Sequence, residues 1–293
     1  MTDRVLTVTG DDFGAEPAAN EAIAACWDRG VLTHASLMVC EPAAGEAVAS
    51  ALERPGLSVG LHLVLCDGFA ASRPAEVADL TDGDGRFPPD PTRVGLRLWW
   101  SRRRLREVLE REIRAQIERY LETGLRLGHV DGHHHLHTHP VVFEILLRCL
   151  DEYGVPAVRL VHEDGVGRAP QASWRAGFVP GVHSVLARWH RWRSRRPDAA
   201  GPTLPDQRVY GLRRNGRVDE AYLLWLIPRL RAARVEFYAH PGRGEGGQGE
   251  RDALCSPRVR DAIARAGYSL ARPGRAALCE TDRREDPVER GDP

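Results

Sequence analysis

The sequence contains no lysine, so all 41 of its basic residues are arginine. A GC-rich coding bias accounts for that exchange, and its chemical consequence is firm. Schiff-base chemistry, a pyridoxal-phosphate lysine and a phosphate-loop lysine are all excluded. Cysteine is sparse and poorly spaced for chemistry. The six residues (Cys26, Cys40, Cys66, Cys149, Cys255 and Cys279) form no CxxC pair and no Cys/His set with structural-zinc spacing. They read as reduced, small apolar residues of a cytoplasmic protein. No apolar run approaches the ~20 residues needed to span a bilayer, and the start of the chain lacks the apolar core of a signal peptide. An excess of one charge is also missing: 41 basic side chains face 41 acidic ones. A nucleic-acid partner is therefore not expected.

The 293 residues are 42% hydrophobic, enough for the core of one large α/β domain. VLTVT at 5–9 reads as a buried strand stopped by Gly10, with Asp11 and Asp12 in a turn behind it. A helix over 17–28, a strand over 35–39, a helix over 42–52 and a strand over 57–64 follow. That alternation is the grammar of βαβ units and a parallel sheet. Residues 67–95 are rich in Asp, Gly and Pro and read as a long loop. Helices are expected at 105–121 and 142–153, and strands at 156–160 and 235–239. Residues 165–215, rich in Arg, Trp, Pro and Gly, break the alternation.

Polar clusters sit at the ends of these strands or on them: Asp11 and Asp12, His62, the run DGHHHLHTHP at 131–140, and His240. In α/β barrels, active sites gather at the C-terminal strand ends. Imidazole and carboxylate together suit Zn²⁺ and related divalent ions. Five His in seven residues cannot all be ligands. An extended segment would put His133, His135, His137 and His139 on one face and His134 on the other. Taken singly, Asp11 and Asp12 could be a turn, His62 a core histidine and His240 a turn residue before Pro241 and Gly242. Taken together, they outline one cavity.

VTGDDFG at 8–14, NEAI at 20–23, GVLTHASLMV at 30–39, VGLHLVL at 59–65, HVDGHHHLHTHP at 129–140 and AHPG at 239–242 give the chain a family likeness. In their order and spacing it resembles the YdjC-like carbohydrate deacetylases, those related to chitooligosaccharide deacetylase. The likeness runs from residue 5 to about residue 270. VGLHLVLCDG and DQRVYGL at 206–212 resemble the branch associated with hopanoid biosynthesis. The resemblance implies an α/β fold, a (β/α) barrel, distorted or incomplete, of the glycoside hydrolase/deacetylase type. Within one domain over 1–275, composition marks 165–215 as an insertion and 276–293 as a flexible charged tail. The resemblance further implies a divalent metal, Mg or Zn, held by Asp12, His62 and His133, with Asp11 as general base and His240 as general acid. Asp131, His135, His137 and Arg159 would serve in substrate binding or in orienting the ligands. This chain departs from the family in having Gly10 for Ala, Gly132 for Ser, and Arg243 where an aromatic is frequent.

The function implied is metal-dependent hydrolytic N-deacetylation of an N-acetylated sugar or glycolipid, such as a hopanoid-linked N-acetylglucosamine. Water activated at the metal would attack the acetyl carbonyl, and His240 would protonate the departing amine. Competing readings are a metal-dependent phosphoesterase on a His-rich barrel and a non-catalytic sugar- or lipid-binding module. Phosphoesterases of that kind begin with a His-x-His pair where this chain has Asp-Asp. A metal-free glycosidase would need two separated carboxylates.

A homodimer is the default for a soluble oligomer. Val182, Val185, Leu186, Trp189 and Arg193 fall at helical spacing near Arg188, Arg191, Arg195 and Arg196. Such a helix either packs on the barrel with a basic solvated face, the favoured reading, or gives 180–196 a peripheral contact with the inner membrane surface. Trp99 and Trp100 beside Arg102, Arg103 and Arg104 raise the same question.

Overall fold

A computed structural model describes residues 4–164, 175–194, 204 and 207–271; the side chains of 175–181 and 193–194 are not included. The expected tail at 276–293, Arg195, Arg196 and much of the 165–215 segment lie outside the described residues. Among the described residues, seven strands form one parallel sheet: β1 (Arg4–Phe13), β2 (His34–Leu37), β3 (Ser58–Leu63), β4 (Val130–Gly132), β5 (Arg208–Tyr210), β6 (Arg234–Ala239) and β7 (Tyr268–Leu270). Their order is β4-β3-β2-β1-β6-β5, and β7 pairs with the start of β1. The central strands are apolar and buried on both faces, as parallel strands covered by helices must be.

The sheet curls into an incomplete barrel. Residues 157–162 cross from β4 to β5 and bridge the gap. Val130 N donates to Ala157 O at 3.0 Å, Arg159 N donates to Val130 O at 2.9 Å, and Val209 N donates to His162 O at 3.1 Å. The segment expected as a strand at 156–160 thus holds a strand's place. Its two bonds to Val130 make a single bridge, Val130 with Val158, and the bond to β5 comes from His162, just beyond it.

Helices α1 (Pro17–Arg29), α2 (Ala44–Leu52), α3 (Pro91–Trp100), α4 (Arg106–Leu121), α5 (Pro140–Glu152), α6 (Arg175–Ser194), α7 (Glu220–Leu226), α8 (Gly247–Cys255) and α9 (Pro257–Arg265) surround the sheet. The α4 stripe of Leu109, Ile113, Ile117 and Tyr120 is fully buried, each such side chain stabilising the fold by roughly 1.5–3 kcal/mol. Glu112 and Gln116 share that buried face. Glu112 accepts from Ala71 N and Ser72 N, and Gln116 bonds Val64 N and O. Two polar residues on an apolar stripe therefore pin the start of the long 67–95 loop, whose last residues begin α3. Cys26, Cys66 and Cys149 are buried free thiols. No helix among the described residues is long and apolar enough to cross a membrane.

Candidate metal centre

β1 does not end at Gly10. It runs on to Phe13, with a register shift against β2 between Gly10 and Phe13. A regular strand would send adjacent residues to opposite faces. The irregularity, with Asp12 at φ 61°, brings both carboxylates against interior partners. Asp11 meets Arg159. Asp12 Oδ1 lies 3.0 Å from His133 Nδ1 and 3.3 Å from His62 Nε2. Asp12, His62 and His133 are all buried, with ligand atoms within 4.8 Å of one another.

His62 is held from behind. Its Nδ1 donates to Asp131 Oδ1 at 2.7 Å, which leaves Nε2 facing Asp12. Asp131 in turn accepts from Ser36 Oγ at 2.7 Å and pairs with Arg159 Nη1 at 2.8 Å. A carboxylate behind a ligating imidazole fixes both its tautomer and its direction. Arg159 reaches three carboxylates from the gap-bridging segment: Asp11 through two bonds, Asp131, and Glu236 on β6 through Nε at 2.8 Å. Thr9 Oγ1 and Gln207 Nε2 complete the partners of Glu236.

Electrostatics follow from this crowding. Burial alone would neutralise Asp12, but hydrogen bonds with His133 and His62 and the charges of His133 and His240 hold its carboxyl well below the usual range. Burial likewise opposes ionisation of Asp131, and the nearby Arg159 and His62 overcome it. Burial opposes charge on His62 too, yet Asp131, Asp12 and Asp11 push it up to about 10. Of four buried carboxylates here, Asp11, Asp131 and Glu236 share the buried Arg159 guanidinium, and Asp12 meets the partly exposed Arg243. Such an excess of negative charge is costly unless a cation balances it. His62, pushed towards its charged form, and Arg243 offset part of it, and a divalent ion on Asp12, His62 and His133 would offset more. The buried His133 Nε2 has no hydrogen-bond partner, which leaves a further imidazole nitrogen at the centre uncommitted. The donor set therefore fits a divalent cation.

The His-rich run does not take the extended, alternating form. Residues His133–Thr138 form a tight 3-10 turn in which His134 and His135 adopt φ 51° and 56°. His133 alone of the run joins the buried donor set. His135 Nε2 meets Tyr238 Oη at 2.9 Å, and His137 Nε2 donates to Arg159 O at 2.9 Å, tying the turn to β6 and to the gap-bridging segment. Burial keeps both imidazoles neutral, with His137 pulled down to about 3. His139 starts α5 and lies near Trp99, away from this face. His134 reaches outward to Asp67 at 3.9 Å, and with His133 these make a second, more exposed donor group. The non-glycine residues with positive φ among those described are Asp12, Asp67, His134 and His135, all around this centre. Strained backbone concentrates where function constrains it.

His240 follows β6 at the mouth of the barrel. Its backbone N donates to Glu250, and its ring is 5.8 Å from that of Tyr238. Arg243 lies beyond it, with Nε 3.2 Å from Asp12 Oδ2 and Nη1 3.1 Å from Glu16. The departure at Gly132 has a steric reason: a Cβ there would come within 2.9 Å of His137 Nδ1. Gly10 is similar, since a Cβ would meet Ile23 Cγ1 at 2.9 Å. Sequence reasoning did not anticipate Ser36, Glu236 or Tyr238. Glu236 and Tyr238 on β6 and His240 just after it alternate, and that period of two was the available signal.

Fold and centre together define a parallel-stranded, incomplete α/β barrel with a buried carboxylate–imidazole cluster at its mouth. The chain belongs to the YdjC-like protein family, whose sequence pattern matches residues 5–265. A carbohydrate deacetylase of Brevibacillus brevis is 42% identical over 52% of this chain and 57% of its own length. One of Geobacillus stearothermophilus is 40% identical over 52% of this chain and 58% of its own. The matched stretch thus spans little more than half the length of these curated relatives. A solved structure of a protein from Enterococcus faecalis V583, named for cellobiose-phosphate cleavage, superposes with a TM-score of 0.69. It covers 92% of this chain and 97% of that one at 22% identity, a likeness of fold.

Proposed function

We propose that this protein hydrolyses the N-acetyl group of an N-acetylated sugar at the Asp12–His62–His133 centre. The observation that carries the reading is the buried carboxylate–imidazole cluster, with Asp131 behind His62 and a second carboxylate, Asp11, on the same strand. The names of the curated relatives support it. When bound, a divalent ion such as Zn²⁺ or Mg²⁺ supplies Lewis acidity for the acetyl carbonyl and acidifies water. Asp11 takes the proton of the attacking water. Both of its oxygens touch Arg159, and each keeps a lone pair for this task. His240, at the mouth, protonates the departing amine, without which an amide nitrogen leaves poorly. Arg159 and Asp131 keep Asp11 and His62 in place, and His135 and His137 brace the turn that carries His133.

The substrates proposed are N-acetylglucosamine oligomers and, from the likeness of VGLHLVLCDG, a hopanoid-linked N-acetylglucosamine. The protein is proposed to act in the cytoplasm, as one domain with an insertion at 165–215 and as a homodimer. Acetate release is the test, using chelated protein and protein supplied with Zn²⁺, Mg²⁺, Co²⁺ or Ni²⁺ on both substrate classes. Metal-dependent release from either establishes the reaction, and the preferred substrate selects the branch. No release from either with metal bound refutes it.

A further inference from the structure

Nine large apolar side chains stand exposed among the described residues, and seven of them lie on two helices: Leu96, Trp99 and Trp100 on α3, and Val182, Val185, Trp189 and Trp192 on α6. The α6 set is spaced three, four and three residues apart, which makes one continuous stripe. The opposite face of α6 is buried through Ala187 and His190. Both helices border the turn that carries His133. Trp99 stacks edge-on to His139 with ring centroids 6.3 Å apart. His183 Nδ1 lies 3.3 Å from Thr138 Oγ1, and His190 Nε2 donates to Thr138 O at 3.0 Å.

Charge on these segments has a single sign. Residues 91–106 carry six Arg and residues 175–194 carry four, with no Asp or Glu in either; Arg93, Arg104 and Arg106 pair with Asp90, Asp79 and Glu144 outside the segment. Arg97, Arg103 and Arg188 are exposed, and the Arg102 guanidinium lies 5.6 Å from the Trp99 ring centroid. Exposed Trp interleaved with Arg matches a membrane interface. The indole sits at headgroup depth, and the guanidinium reaches lipid phosphate while its stem covers apolar surface.

We propose that α3 and α6 form a docking face for an anionic lipid bilayer, bound from one side. A second copy of the chain is a poorer occupant, because an isologous contact would set like-charged Arg clusters against each other. Docking brings the turn that carries His133 towards the headgroup layer, which favours an acetylated headgroup carried on a lipid as substrate. That consequence for substrate rests on the deacetylase reading; the docking itself does not.

Flotation of the full chain with vesicles tests it, comparing phosphatidylcholine alone with equal parts phosphatidylcholine and phosphatidylglycerol. The parent floats with the anionic vesicles and not with the neutral ones, and added salt releases it. Trp100→Ser with Val185→Ser, and separately Arg97→Gln with Arg103→Gln, each lower the bound fraction at least about tenfold. All four positions are exposed, and unchanged circular dichroism confirms the fold. A parent that stays down with anionic vesicles, floats equally with neutral ones, or is unaffected by both variants overturns the proposal. So does a dimer in sedimentation that Trp100→Ser dissociates while no vesicle is bound, since the face then joins two copies. Flotation reads no catalysis, so its failure and a failure to release acetate are separate results.

Discussion

Arg159 grips Asp11 with both ends of its guanidinium, Nη1 to Oδ2 at 2.7 Å and Nη2 to Oδ1 at 3.0 Å, and both residues are buried. The same cation serves Asp131 and Glu236, so its removal strands three buried carboxylates without their countercharge. Arg159→Met should therefore destabilise the protein by about 3–5 kcal/mol, the range for breaking a buried ion pair. Urea unfolding reads this directly. A loss below about 1 kcal/mol, within the range for exposed pairs, would mean that the site relaxes to admit water.

The proposed division of labour between the two adjacent aspartates separates binding from turnover. Asp11→Asn should leave metal stoichiometry intact and lower kcat by about 10²–10⁴, the range for a general base. His133→Ala should lower both. Metal content and acetate release measured on the same samples check the pair. Near-full activity in Asp11→Asn would remove the base assignment, and full metal content in His133→Ala would remove the ligand assignment.

Asp131 touches His62 and not the proposed ion, so its effect should be graded. Asp131→Asn keeps a polar group of the same shape but gives up the charge that holds Nδ1 of His62. Metal affinity should fall about 10–100-fold, as for other groups that orient a ligating histidine. Calorimetric titration of chelated protein measures it. An unchanged affinity would mean that His62 needs no carboxylate to hold its tautomer.

Much of this site was legible because Asp and His at the ends of apolar strands are conspicuous. Asp11, Asp12, His62 and His240 all stood out in that way. The rest was hidden for definite reasons. β5 and β7 have three residues each, too short to display a period. The segment at 156–160 has a strand's composition, yet it meets β4 through the two bonds of Val130 alone and forms no ladder. Residues 133–139 contain no glycine, so their types pointed only weakly to left-handed backbone at His134 and His135. Tertiary demand set that conformation: His133 must meet Asp12 while His137, four residues on, meets Arg159 O.

Glu163 offers a test of stability that is independent of the proposed metal. Its carboxyl is buried, and Oε1 has no hydrogen-bond partner; Oε2 accepts from Arg213 N at 3.2 Å. Burial pushes the carboxyl up to about 8 from an ordinary 4.5, and the charge of Arg213 only partly opposes this. The native state therefore holds this proton more tightly than the unfolded chain does. Its contribution is fully present below pH 4.5 and is lost as pH rises through about 8. Glu163→Gln presents the uncharged form at every pH. Relative to the variant, the parent should lose stability steadily across that window, by about 1.4 kcal/mol for each pH unit well inside it. Parallel urea unfolding of both proteins at pH 5, 6, 7 and 8 (roughly the window set by the displaced carboxyl) measures the difference. A difference that stays flat would mean that Glu163 ionises as readily in the folded protein as in the unfolded chain, with Arg213 outweighing burial.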